Sequence, residues 1–79
     1  MKIISKVRNY LLEEEFQINV YKNKVNIVNY ISIGHFDSNK VVVNYIDGEI
    51  LIVGSNLVVS KLMNDEVLIT GVIKNIELR

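Results

Sequence analysis

The sequence has no cysteine, no proline, no tryptophan and one histidine, and its nine basic residues are balanced by nine acidic ones. Without cysteine there is no disulfide framework and no thiolate metal site, which fits a reducing compartment. The one histidine, His35, cannot by itself supply the three or four ligands a metal centre needs. A net charge of zero provides no basic field, so nucleic acid is not expected as a partner. No apolar run approaches the ~18 residues of a membrane-spanning helix. Lys6, Arg8 and Glu13-Glu14-Glu15 interrupt the N-terminal apolar residues, leaving no room for a signal-peptide core. The expected location is therefore cytoplasmic. With no proline, no strand edge is protected by a missing N–H.

What is present is short and apolar. Seventy-nine residues make one domain, and a chain of this size buries about two-thirds of its unfolded surface or less. Apolar residues make up 49% and charged residues 23%, so the chain is expected to fold rather than remain disordered.

Residues 1–15 read as an N-terminal amphipathic helix and 16–79 as a β domain. In the first segment Ile3, Ile4, Val7, Tyr10 and Leu11 recur on one helical face, with Lys2, Ser5, Lys6, Arg8 and Asn9 mostly opposite. Basic residues come first and acidic ones last, the wrong order for the helix dipole. So short a helix needs a surface to dock on, either the sheet, a neighbouring subunit or an anionic membrane.

From Phe16 the period changes to two. Phe16, Ile18 and Val20 alternate with polar neighbours and Tyr21, and 25–33 reads as the next strand, with a bulge or slip expected near Asn29. Residues 34–39 have turn chemistry. The stretch 45–54, YIDGEILIVG, organises the rest. Asp47-Gly48 lies between two apolar runs, which predicts a two-residue type I′ hairpin with strands running up to Ile46 and away from Glu49. Residues 50–53 are apolar on both faces and should be central. Gly54-Ser55-Asn56 should break that strand, 57–62 should form another, and 66–78 one long strand or two divided near Gly71. The expectation is an all-β fold, a small antiparallel sandwich or barrel-like meander of about six to seven strands with a short N-terminal helix.

A weak repeat runs through Ile31-Ser32-Ile33-Gly34, Leu51-Ile52-Val53-Gly54 and Leu68-Ile69-Thr70-Gly71, spaced 20 and 17 residues apart. Strands ending at glycine kinks explain it; a short β-solenoid is the alternative. Several strands are apolar on both faces, more than one small sandwich can hide, so self-association is expected. The candidate interaction residues are Ile3, Ile4, Val7 and Leu11 in the helix and Val42, Ile46, Ile50 and Ile52 in the strands. Lys40, Lys61 and Lys74 are candidate edge guards against uncontrolled strand addition.

No constellation for catalysis stands out. His35 sits in a polar turn with Asp37, the serines are isolated, and Asp37, Asp47 and Asp65 all lie where turns want Asp. No phosphate loop, calcium loop or cofactor motif is present. The chain reads as a non-enzyme without cofactor or metal. A binding cleft near 34–39, lined by Tyr30, His35 and Phe36, would point instead to a module for a small ligand or polymer.

Three segments carry a resemblance. They are VNIVNYISIGHFDSNKVVV (25–43), DGEILIVGSNLVVSKL (47–62) and DEVLITGVIKNIEL (65–78). In order, with Gly48, Gly54, Leu57, Leu62, Glu66, Gly71, Ile73 and Ile76 at the marked positions, they resemble the YabP/YqfC family of small sporulation proteins of endospore-forming bacteria. The likeness covers about two-thirds of the chain and is similar to the YqfC-like members; the N-terminus departs from it, being shorter and lacking proline. The resemblance implies a sporulation protein made in the mother cell, with no catalytic residues to transfer. It also implies a membrane protein of the YqfD type as a partner, and with it peripheral membrane contact. The reading is thus a non-enzymatic interaction protein of sporulation that assembles with itself or docks on a membrane partner.

Overall fold

A computed structural model describes residues 15–79. The helix expected over the first fifteen residues, with Ile3, Ile4, Val7 and Leu11, lies outside the described residues except for Glu15, which is not helical. Six strands follow: β1 (Gln17–Val20), β2 (Lys24–Val28), β3 (Ser32–Phe36), β4 (Lys40–Tyr45), β5 (Gly48–Leu62) and β6 (Glu66–Leu78). They form one sheet in the order β1-β2-β6-β5-β4-β3, with every pairing antiparallel. The all-β expectation holds, and the antiparallel pairing rules out the solenoid. The sheet is unclosed, with β1 and β3 at its ends.

Two long strands bend this sheet over. β5 pairs with β4 through 48–53, then with β6 along its whole length, and its register slips after Val53, Ser55 and Val59. The core draws on both sides of the bend: Val25 and Ile27 from β2, Val67 and Ile69 from β6, Val41 and Val43 from β4, Ile50 and Ile52 from β5, with Leu57 between. Side chains this fully buried need cover from a second layer, and the sheet's own other half supplies it. Burying each of these aliphatic side chains contributes about 1.5–3 kcal/mol.

The bend depends on two glycines. A Cβ on Gly54 would lie 1.9 Å from the Val72 carbonyl oxygen, and one on Gly71 would lie 2.5 Å from that of Asn56. Gly71 also has φ +135°, which L-residues with a side chain rarely adopt. Residues 54–56 were expected to end a strand. They turn it instead, because the backbones of β5 and β6 can close on each other wherever a side chain is missing.

The bent sheet has a pseudo-twofold relation between its halves. β2 pairs with β6 as Lys24↔Thr70, Val25↔Ile69, Asn26↔Leu68, Ile27↔Val67 and Val28↔Glu66. β4 pairs with β5 as Lys40↔Val53, Val41↔Ile52, Val42↔Leu51, Val43↔Ile50 and Asn44↔Glu49. The two ladders correspond pair for pair, with Gly71 and Gly54 one position past each. Both hairpin turns close in the same way, Tyr21 N–H to Lys24 carbonyl at 2.8 Å and Asp37 N–H to Lys40 carbonyl at 2.9 Å. Both turns then accept from the bend glycine, Asn23 from Gly71 and Asn39 from Gly54, each at 3.0 Å. Behind this lies Asn-Lys-Val at 23–25 and again at 39–41. The Leu-x-x-Gly copies at 51–54 and 68–71 are the matching strands; Gly34 belongs to a different feature, the register slip between Ile33 and His35 in β3.

Three strand boundaries differ from expectation. The β4–β5 loop is Ile46-Asp47, because Tyr45 pairs with Gly48, and neither loop residue has a positive φ. The turn is therefore not type I′. Gly48 opens β5 beside the chain end, where a Cβ would meet the Arg79 carbonyl oxygen at 1.9 Å. The strand expected over 25–33 divides at Asn29, whose φ of 65° is tolerated by Asn. Its N–H still donates to the Asp65 carbonyl, next in register after Val28↔Glu66, so the positive φ is what turns the chain. β3 then extends through Phe36, so the turn is confined to 37–39.

Candidate interaction site

The Asp37 turn positions the site. The Asp37 Oδ1 accepts from the backbone N–H groups of Asn39 and Lys40, both at 2.8 Å, and its Oδ2 lies 2.9 Å from His35 Nε2. The hydrogen bond from His35, helped by that from Asn39, lowers the Asp37 carboxyl to a pKa of about 2. The carboxylate thus holds its own turn. The Ser38 carbonyl accepts from Leu57 N–H at 2.9 Å, which fixes the turn to β5 just past the bend.

Beside this turn an apolar cleft of about 360 Å³ lies between the end of β3 and β5, lined chiefly by Phe36, Val41, Leu57, Val58 and Val59. Phe36 is 64% and Val58 56% exposed. Past the bend β5 pairs with β6 on one side only, since β4 ends its pairing at Lys40↔Val53. Among the described residues, 58–62 is therefore a free strand edge, capped at its start by the Leu57–Ser38 bond. Leu62 and Met63, at its far end, are also exposed. Edge and cleft together offer unpaired backbone groups next to apolar surface, the arrangement that takes up an added strand.

The pseudo-twofold provides an internal control. Val58 opposes Thr70 as Asn75 opposes Val53, and Lys61 opposes Leu68 as Glu77 opposes Leu51. Where this corner has Phe36, Ser38, Val58 and Lys61, the other has Val20, Lys22, Asn75 and Glu77. At the other corner Tyr21 takes the place of Asp37, with the Lys24 ammonium 5.0 Å from its ring centre. The fold needs the bend glycine and the turn at both corners. It does not dictate the edge residues at either, and among the described residues the apolar cleft beside Phe36 and Val58 lies at one.

The residues expected to interact are dispersed by the structure. Ile50 and Ile52 are 0% exposed and sit in the core, so they belong to no surface. Their strand is central, as its sequence suggests, and the bend hides the face that a flat sheet would show. Val42 is half-buried on the outer face, opposite Leu51 and His35. Ile46 is 78% exposed in the β4–β5 loop, at the end of the sheet away from the cleft. Lys61 does lie on the free edge of β5, and Lys74 on the unpaired side of β6, whereas Lys40 begins the interior strand β4. Tyr30, His35 and Phe36 do not converge: Tyr30 donates its hydroxyl to the Met63 carbonyl at 2.6 Å, near Ile46. Val58 and Leu62 were missed by sequence reasoning, and Phe36 was expected only as lining of a ligand cleft with Tyr30 and His35, not beside a strand edge. The repeated Asn-Lys-Val could have found them, since it places Phe36 at the end of a strand rather than in a turn.

Among the described residues, no group of three His, Asp or Glu side chains could hold a metal ion, and no helix is long and apolar enough to cross a membrane. No curated protein matches the chain, and no solved structure does. The YabP family matches residues 13–79, extending beyond the segments that carry the resemblance to include β1 and its approach. The chain therefore belongs to the YabP family and is a sporulation-related protein.

Proposed function

We propose that this protein is a non-enzymatic assembly module of sporulation that takes up an extended strand along the free edge of β5. The first candidate for that strand is a second copy of the chain; a membrane protein of the YqfD type is the second. The observation that carries the reading is the unpaired edge at 58–62, bordered by the apolar cleft at Phe36 and Val58. An added strand satisfies the backbone N–H and C=O groups of the edge, and its side chains on one face cover the cleft. Lys61, in the middle of the edge, disfavours an indefinite stack of identical strands by placing like charges close together.

Light scattering after size exclusion, over a range of concentrations, tests this. The wild type is expected to gain mass with concentration. Val58→Lys should stay monomeric, because it puts a charge on the edge, while Asn75→Lys, the exposed equivalent at the other corner, should associate like the wild type. A wild type that remains monomeric throughout, or equal loss in both variants, refutes assembly through this edge.

A further inference from the structure

We infer that the end of the sheet opposite the corners is a docking shelf for the chain's own first fourteen residues. The described chain starts on this shelf. The Phe16 ring stacks on Tyr45, with centroids 4.1 Å apart and planes 12° from parallel. The Glu15 carbonyl accepts from the Asn29 side-chain amide at 2.6 Å. Whatever precedes Glu15 therefore leaves from beside Asn29 and Tyr45, and Phe16 and Asn29 both line a cleft of about 320 Å³. Ile31 and Ile46 form the rest of its apolar lining together with Tyr30. They are 63% and 78% exposed, and Ile46 is the most exposed large apolar side chain among the described residues.

Two features of residues 1–14 match this shelf. Ile3, Ile4, Val7, Tyr10 and Leu11 supply an apolar set with nothing in their own segment to cover it. Lys2, Lys6 and Arg8 outnumber Glu13 and Glu14, so the segment's side chains are net positive, with the cations in its first half. Asp65 lines the cleft and Asp47 adjoins Ile46, whereas the corners at the other end carry Lys22, Lys24 and Lys40 in or beside their turns. Charge thus favours the end from which the segment emerges. Covalent connection through Glu15 also keeps the local concentration of the segment high there, so even weak apolar contact suffices. This would cover Ile31 and Ile46 within one molecule, leaving the free edge of β5 as the surface for partners.

The absence of cysteine makes the test direct. A spin label on Ser5→Cys, on the polar side of the segment, is read by relaxation of backbone amides in the full chain, in the Val58→Lys background so that association through β5 does not interfere. The expected result is strongest broadening at Tyr30, Ile31 and Ile46 and weakest at Asn23 and Asn39, lost in the Ile31→Lys/Ile46→Lys variant while the corner amides keep their shifts. Broadening that is even, centred on the corners or unchanged by the double variant overturns the inference. So does broadening that appears only between a spin-labelled copy and a separate isotope-labelled one, which would mean that the segment docks on a neighbour.

Discussion

The two corners of the sheet have one backbone and two surfaces. At one, Asn39 accepts from Gly54, Asp37 ties down the turn, and the strand beyond presents Val58, Lys61 and Leu62 along an open edge. At the other, Asn23 accepts from Gly71, Tyr21 stands where Asp37 would, and the strand beyond presents Asn75, Glu77 and Leu78. What the corners share is what bending a sheet requires: a residue without Cβ at the crossing and a turn carbonyl to receive its N–H. What differs is free to serve function.

The comparison can be broken most severely at the glycines. Gly54→Ala puts a methyl group against the Val72 carbonyl, which is backbone and cannot swing aside, with the Leu57 side chain also close. Gly71→Ala adds an unfavourable φ to a similar contact. Each is expected to cost more than about 4 kcal/mol, against a total of roughly 4–12 kcal/mol for a chain of this length. Circular dichroism should therefore show either protein largely unfolded at room temperature; a folded Gly54→Ala with two-state melting near wild type would mean that the close crossing does not hold the bend.

The core sharpens the comparison. Ile52 and Ile69 are equivalent across the pseudo-twofold and both fully buried. Ile52→Ala and Ile69→Ala should each lose about 2–5 kcal/mol in urea unfolding, and by similar amounts. A large inequality would show that the two layers are packed differently despite their matched ladders. Ile52→Lys, which forces a charge into the same site, should leave no folded protein.

The smallest effect is expected at the turns. Asp37 has its pKa lowered to about 2 in the folded chain, from an ordinary value of 3.8. The ionised form is favoured by folding, so its stabilisation is present above pH ~4 and disappears as pH falls towards 2. Asp37→Asn should melt slightly below wild type at neutral pH, with the gap narrowing through that window. The Tyr21 corner has no carboxylate in this place, so Tyr21→Asn should give a difference from wild type that does not change between pH 4 and 2. A gap for Asp37→Asn that ignores pH would show that the carboxylate charge contributes nothing to the turn.

Much of the fold could be read locally. The switch to period two at Phe16, the apolar run at 50–53 and the glycines at 54 and 71 predict strands, their central member and the places where they deform. Local pattern fails where a long-range partner decides. Asp47-Gly48 reads as a turn, yet Gly48 is a strand residue because Arg79 passes close to it. Residues 25–33 read as one strand, yet the chain turns at Asn29, which has a φ of 65° and whose side chain holds the Glu15 carbonyl. The candidate site was legible only in part. Val42, Ile46, Ile50 and Ile52 are apolar strand or loop residues on any reading, but their exposure depends on which layer covers them.

The sequence by itself determined the class of this protein: β periodicity, no thiol or histidine set for a metal, and an ordered pattern of glycines and apolar positions that marks the YabP family. Those properties follow from residue type and near-neighbour spacing. Tertiary contacts alone settle that β5 and β6 bend instead of ending, that Ile50 and Ile52 are hidden while Phe36 and Val58 are not, and that one edge presents Val58 and Lys61 where its counterpart presents Asn75 and Glu77. Each of these depends on which backbones meet across tens of residues. Alternation along a strand shows that it has two faces, but cannot show which face the rest of the chain will cover.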